Sequence, residues 1–443
     1  MKVLIVLLSS LFLAEVSFGQ VDDEWIKKAA VDRLVRYTKI DTHSKEDVEQ
    51  VPSTPNQFDL ARVLLKELQG LGLSDARLDA EHCYVYATLP SNLTEEQTAL
   101  VPVIGFMAHV DASSSVSDAN VNPIIHRDYR GGDIVLPNDT TRVITVERNP
   151  NLLKSIGDDI ITTDGTTLLA ADDKAGIAEI MTAVEFMLKQ PEIKHGTIKI
   201  AFTPDEEVGN GPKYFDIKGW GAKYAYTVDG GQLGELSDET FNAQAAVVTF
   251  NGKNTHPGYA KGIMVNSLYA ASYFISLFPE DMRPETTDER EGYLHPYDLT
   301  GNEERTRLKV LIRDFDMTGM EEKGEILREM KEKTEKKFPK VRIDLRIIDT
   351  YRNMNSILEK YPDVVKFAEE AMERARVKPI RFPVRGGTDG SQLTYMGLPT
   401  ANIFAGEENP HGKLEWIPAR SMVKSVHTIV NISNIWAEKG TGS

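Results

Sequence analysis

Several strand-length apolar runs in this chain stop at a histidine or an acid. VIGFMA leads into His109-Val110-Asp111, TIKIAFTP into Asp205-Glu206-Glu207, YAYTV into Asp229, and ANIFA towards Glu407, Glu408 and His411. LLAADDKAG sets Asp172 and Asp173 just ahead of a stretch in which Ile177, Ile180, Met181, Val184, Met187 and Leu188 recur at helical spacing. Strands alternating with helices predict an α/β layer with a largely parallel sheet. Ligands in such a sheet sit beyond the carboxyl ends of the strands, and these groups fall there. Singly, each has a bland reading: His-x-Asp is mostly structural, Glu-Glu is usually solvated, and Asp-Asp before a helix is a common N-cap. Together, at one sheet edge, they predict a joint site. Histidine with carboxylates and no cysteine suits zinc or manganese.

Helical spacing also marks 25–40 (Ala29, Leu34, Val35, Tyr37) and 58–71 (Leu60, Ala61, Leu64, Leu65, Leu68). Near residue 240 the texture changes. AQAAVVTFNG, RLKVLIRDFDM and KVRIDLRIIDT read as strands, with VNSLYAASYFISLFP and the charged segment 320–337 as helices. This β-α-β-α-β set predicts an α+β domain inserted at 241–352 into an α/β domain made of 20–240 and 353–443. A chain of 443 residues is long enough for two cores.

The balance of 51 basic against 67 acidic residues gives a net charge of −16, which argues against nucleic acid and anionic membranes as partners. Cys83 is the one cysteine, so neither an internal disulfide nor a cysteine zinc cluster is available. It lies in the strand-like run HCYVYATL and reads as a small buried hydrophobe. Lys2, the apolar run VLIVLLSSLFLAEV and then SFGQ predict a signal peptide over 1–19, cut after Gly19, and an exported, soluble mature chain with no membrane span. Asn92, Asn138 and Asn431 open glycosylation triplets, which matter only in a eukaryotic host.

The stretches YTKIDTHS, HVDAS, YRGGDIVL, TDGTTLLAADDKAGIAEIMTA, AFTPDEEVG, YTVDGG, HPGYAKGIMVNSL, IRDFD, RGGTDGSQLTYMGLP and HGKLEWI run in order through nearly all of the mature chain. In them the chain resembles the tripeptide aminopeptidase (peptidase T) branch of the co-catalytic two-zinc peptidases, the family that includes carboxypeptidase G and aminoacylase. The resemblance implies a zinc-peptidase catalytic domain, its mixed sheet flanked by helices, with an inserted lid and dimerisation domain, two Zn2+ per subunit, tripeptide substrates and a homodimer. It implies His109 and Asp229 on one metal, Glu207 and His411 on the other, Asp172 bridging both, and a cis peptide after Asp172. Glu206 becomes the general base. Its side chain would diverge from that of Glu207 by extended-strand alternation. Asp111 would orient His109, since a carboxylate on the far ring nitrogen fixes a ligand imidazole. His256 would stabilise the oxyanion from the partner subunit. Arg313 and Arg385 would hold the substrate carboxylate, a task that suits a planar fork of donors, and Asn266 would line the lid side. Arg313 reads equally as a strand-surface ion pair. His43, His82, His126, His195, His295 and His427 read as structural or surface residues.

Three features depart from the family's pattern; one is that the His-x-Asp stretch continues as Ala112-Ser113, where Thr-Ser is usual. The loop before the last ligand usually reads GG-x-N-x-HG, whereas here it is Gly406-Glu407-Glu408-Asn409-Pro410-His411. Its two carboxylates near the mouth would alter preference at the free amine or favour basic peptides. A leader also departs from a mostly cytoplasmic family. Two other readings stay open: a dipeptidase or N-acyl amino-acid hydrolase of the same fold, and a metal-dependent peptide-binding protein without turnover.

Overall fold

The computed structural model describes residues 20–73 and 75–442, so the expected leader over 1–19 lies outside the described residues. No helix among the described residues is long and apolar enough to cross a membrane.

The larger sheet is mixed and has eight strands. Their order is Arg77–Leu78, Val85–Leu89, Ile198–Thr203, Ile104–His109, Tyr224–Gly230, Thr400–Phe404, Glu235–Ser237 and Ile380–Arg381. The central four, from Ile198–Thr203 to Thr400–Phe404, are parallel, and an antiparallel neighbour flanks them on each side. Both faces are covered. Phe106, Ala108, Ile200, Phe202, Tyr226 and Val228 point into one core, and the alternate residues Met107, Ala201 and Ala225 into another. Double burial explains why Ile104–His109 is apolar without alternation. Helices Gln20–Tyr37, Ala171–Lys189, Pro362–Arg374 and Ala419–Thr441 pack on the first face, and the short helices Ile217–Trp220 and Asp389–Tyr395 on the second. Helix Ala171–Lys189 runs so close to strand Tyr224–Gly230 that a β-carbon on Gly176 would lie 1.9 Å from the Val228 carbonyl oxygen.

The smaller sheet is antiparallel, in the order Tyr293–Gly301, Arg305–Asp314, Asn242–Asn251 and Arg342–Tyr351. Thr306, Leu308, Val310 and Ile312 alternate inward from their strand. They meet helices Ser267–Ile275 and Met317–Lys337 in a separate core with Phe250, Phe274, Leu327 and Met330. The sequence pattern predicted three strands here, and Tyr293–Gly301 is a fourth. It is a half-exposed edge strand carrying Pro296 and a bulge, so it shows neither alternation nor an apolar run. Cys83 precedes strand Val85–Leu89 rather than lying in it. It is fully buried, and burial pushes its thiol up. Asn431 is also buried, in helix Ala419–Thr441, where it donates to the Ala371 carbonyl, so its glycosylation triplet is closed off.

Buried Arg33 staples three helices of the first face. It donates to Glu67 (2.7 Å) on helix Gln57–Gly70, and to Thr182 (3.1 Å) and Glu185 on helix Ala171–Lys189. Burial opposes the charges on Glu67 and Glu185. Arg33, joined by Lys189 at Glu185, outweighs it and holds both carboxyls below their ordinary 4.5. Depressed folded values stabilise fully above the unfolded pKa and stop doing so as pH falls through the folded values. Arg33→Met, which strands buried carboxylates, should cost roughly 3–5 kcal/mol at pH 7. The gap in urea midpoint between variant and wild type should narrow as pH drops below about 4.5. A gap of the same size at pH 3 would contradict this account.

Candidate active site

The carboxyl ends of the four parallel strands converge. His109 closes strand Ile104–His109, and its backbone N–H donates to Asp173 (3.0 Å). Its Nδ1 faces the Asp111 carbonyl oxygen at 3.0 Å, which assigns the ring hydrogen to Nδ1 and leaves Nε2 as a donor atom. Nε2 lies 3.1 Å from Asp172 Oδ1 and 3.5 Å from Asp229 Oδ1. The other Asp172 oxygen, Oδ2, is 3.1 Å from His411 Nε2, which is 2.9 Å from Glu207 Oε2. The five candidate ligands therefore meet, with Asp172 between two imidazoles. The peptide bond between Asp172 and Asp173 is cis.

The turn after strand Ile198–Thr203 separates the two glutamates. Asp205 takes a left-handed conformation, and its carboxylate is buried against Ser53 and Gln57. Glu206–Val208 then forms a 3₁₀ turn. Strand alternation, the expected cause of divergence, does not operate here. Three residues per 3₁₀ turn set successive side chains about 120° apart instead. The Asp111 carboxylate accepts the N–H groups of Glu206 (3.0 Å) and Glu207 (3.2 Å), and Oδ1 lies 3.3 Å from His109 Nδ1. Asp111 thus orients His109 chiefly through its carbonyl, while its carboxylate clamps the glutamate turn.

Negative charge is in excess here. Burial opposes a charged His109, but Asp111, Asp172 and Asp229 hold it well above its ordinary value. Asp172 and Glu207 raise His411 to about 11. Burial, reinforced by Asp172, pushes Glu207 up to about 7, and burial with Asp229 pushes Glu206 well above the carboxylate range. Asp389 is raised to about 7 and Glu415 to about 8, burial leading in both. Glu207 Oε1 is buried with no hydrogen-bond partner. Carboxylates crowded this far beyond two imidazoles, one with an orphaned oxygen, fit divalent cations. One would lie among His109, Asp172 and Asp229, the other among Asp172, Glu207 and His411. Asp173 is near enough to join His109 and Asp229, but its oxygens already accept the N–H groups of His109 and Gly176, so it is a brace. Asp41, His43 and Asp118 form another compact group. There Lys174 Nζ meets Asp118 at 3.2 Å and His43 Nδ1 meets Asp41 at 2.6 Å, so an ammonium already sits against Asp118 and the His43 ring nitrogen is already engaged.

The remaining predicted residues make their hydrogen bonds outside this cluster. His256 is exposed, and its Nδ1 accepts from the Gly258 N–H at 3.1 Å. Asn266 caps helix Ser267–Ile275, accepting from the Leu268 N–H at 2.9 Å. Arg313 makes no ion pair among the described residues; it donates to the carbonyls of Gln244 (3.2 Å) and Ile312 (3.0 Å) over the Tyr351 ring. Arg385 donates to the carbonyls of Glu289 (2.9 Å) and Glu291 (2.8 Å) and to Thr287. Glu407 is not at the mouth. It is buried, one oxygen unpartnered, and the charges of Asp172 and Asp173 add to burial in raising it. Glu408 accepts from Asn151 at 2.7 Å. Residue patterns missed Glu415, whose carboxylate binds the backbone of the Asp172 turn, and Tyr351, whose ring lies under the Arg313 guanidinium. No local signal marks either, although Glu415 lies in the HGKLEWI motif.

Residues 170–434 match the peptidase family M20/M25/M40. Peptidase T of Bacillus subtilis (strain 168) is 48% identical over 408 residues, 92% of this chain and 98% of that protein. Among solved structures, aminopeptidase PepT from Bacillus cereus superposes with a TM-score of 0.70 at 23% identity, covering 93% of this chain and 99% of that one. A tripeptidase from Staphylococcus aureus gives a TM-score of 0.73 at 20% identity, with the same coverage of 93% and 99%.

Removing divalent cations should therefore loosen the fold. A ligand at a hundred times its Kd stabilises by about 2.7 kcal/mol, so stripping with a chelator should lower Tm by several degrees and zinc or manganese should restore it. A Tm indifferent to both treatments would remove the case for cations at these residues.

Proposed function

The chain belongs to peptidase family M20/M25/M40, and from that membership we propose that it is a two-zinc aminopeptidase releasing the N-terminal residue of tripeptides. The observation that carries this is Asp172 shared between His109 and His411, with Glu206 lining the same pocket as His109 and Asp229 and bonded to neither imidazole. Relatives sharing nearly half of the sequence over nine-tenths of the chain are peptidases T, which supports the tripeptide preference. Zinc at the two positions would polarise the scissile carbonyl and acidify the attacking water.

The chain's own residues supply the rest. Asp229 and Glu207 complete the two ligand sets from opposite sides of Asp172. Glu206, made a stronger base by burial and by Asp229, takes the water's proton at its carboxylate and delivers it to the leaving amine. Arg313, beside Tyr351, is the guanidinium assigned to the peptide's carboxylate. Arg385 is assigned the same task, its guanidinium donating meanwhile to the 287–291 loop. Asn266 acts as a helix cap. The inserted domain serves as lid and dimer contact in this reading, and its exposed His256 completes the site of a second copy. The apolar leader carries the further reading that the enzyme acts outside the cytoplasm.

Glu206→Gln keeps size but loses the base, so it should retain two metals while tripeptide turnover falls at least ~10²-fold. Glu207→Gln should lose one metal and regain part of its activity in excess zinc. Metal content by mass spectrometry, with hydrolysis of di-, tri- and tetrapeptides bearing free or blocked amines, checks both. Reversed metal contents would swap the two roles, and a preference for blocked amines would reject the aminopeptidase assignment.

Sedimentation should show a dimer. Glu206→Gln and His256→Ala, each weak alone, should regain activity when co-assembled, because one site in the mixed dimer receives an intact residue from each subunit. Mixed dimers no better than either parent would place His256 outside its partner's site.

A further inference from the structure

Glu415 lies four residues beyond His411 and is fully buried. One carboxylate oxygen, Oε2, accepts the N–H groups of Leu169 (3.1 Å) and Ala170 (2.8 Å), and the other, Oε1, accepts that of Asp172 (2.9 Å). Ala170 is left-handed, with φ 59° and ψ 40°. Such a turn gathers successive N–H groups into an anion-binding nest, and here a side chain of the protein occupies it. Glu415 is fixed in its own right. Its N–H donates to the Gly412 carbonyl at 3.1 Å, and Trp416 pairs with Glu408 through both backbone groups, at 3.0 and 2.8 Å. Strand Trp416–Pro418 then joins strand Ile160–Thr162. The loop that carries His411 is closed at its base by the Trp416–Glu408 pair, and the residue beside that closure grips the turn that carries Asp172.

We propose that Glu415 is a positioning residue. It holds the Asp172 turn so that the carboxylate falls between His109 and His411, and both cation positions depend on it although it touches neither. This rests on the two-metal reading above. Asp172 can place one oxygen toward each imidazole only if its backbone is held on the His411 side as well as the His109 side. Asp173 supplies the second hold, through the His109 N–H at 3.0 Å. Glu415 supplies the first, and it is the described side chain that accepts the Asp172 N–H.

The test is cation binding by the full-length chain, stripped with chelator and titrated with zinc or with cobalt, whose visible spectrum reports ligand geometry. Wild type should bind two per subunit. Glu415→Gln replaces one acceptor oxygen with a donor facing backbone N–H groups. It should weaken both cations together by 10–100-fold, the usual cost of losing a partner that orients metal ligands, and alter the cobalt bands. Glu207→Gln should weaken one cation only. Should Glu415→Gln fail to fold, Glu415→Asp decides. It keeps the charge but withdraws it by one methylene, and should melt like wild type when metal-free yet bind both cations more weakly. Wild-type affinities and an unchanged cobalt spectrum in the folded variant would overturn the inference and leave the two-metal reading standing. A wild-type chain that takes up no cation would overturn both.

Discussion

One carboxylate, that of Asp172, stands 3.1 Å from each of two imidazoles, and much of the surrounding structure exists to keep it there. Burial opposes its charge, but His109 and His411 outweigh burial and hold its carboxyl far below the ordinary carboxylate range. What holds the arrangement is backbone. Asp173 grips the His109 N–H and the helix at Gly176, Asp111 grips the N–H groups of Glu206 and Glu207, and Glu415 grips the Asp172 turn. Three buried carboxylates are committed to amide hydrogens, and a carboxylate so engaged is a brace rather than a ligand. Each brace ends at a segment that carries a different candidate ligand, so those candidates are mutually constrained by the chain itself.

The sheet makes this economical. Four parallel strands side by side deliver His109, the Asp205–Glu207 turn, Asp229 and the His411 loop to the same edge. The helix that follows Asp172 lies against strand Tyr224–Gly230 with no room for a β-carbon at Gly176. The approach to strand Tyr224–Gly230, which carries Asp229, is thereby set by backbone contact. Farther out on that helix, Thr182 and Glu185 accept from Arg33 of helix Gln20–Tyr37, which also holds Glu67 of helix Gln57–Gly70.

The smaller sheet has its own core and joins the larger body through few, well-satisfied links. Asn353 and Asn242 bond across the two connecting strands at 3.0 Å, Arg385 holds 287–291, and Tyr351 packs against Gly387. The Tyr351 ring also carries the Arg313 guanidinium, 5.4 Å from its centroid.

Sequence alone determined what depends on local chemistry and periodicity. Continuous apolar runs meant strands buried on both faces, the change of texture near 240 meant a second sheet, and histidines and acids at strand ends named the candidate ligands. Pattern failed where the deciding contact was distant or the segment half-exposed. The edge strand Tyr293–Gly301 lacks periodicity because one side faces solvent. Glu407 read as a mouth residue because nothing local reports burial. Only the tertiary structure decided that Glu206 and Glu207 part company on a 3₁₀ turn, that Asp111 clamps that turn, and that Glu415 holds the Asp172 turn across 243–246 residues of chain. The reason is physical: these carboxylates bind backbone N–H groups, which every residue but proline possesses, so the partner's identity leaves no trace in the sequence.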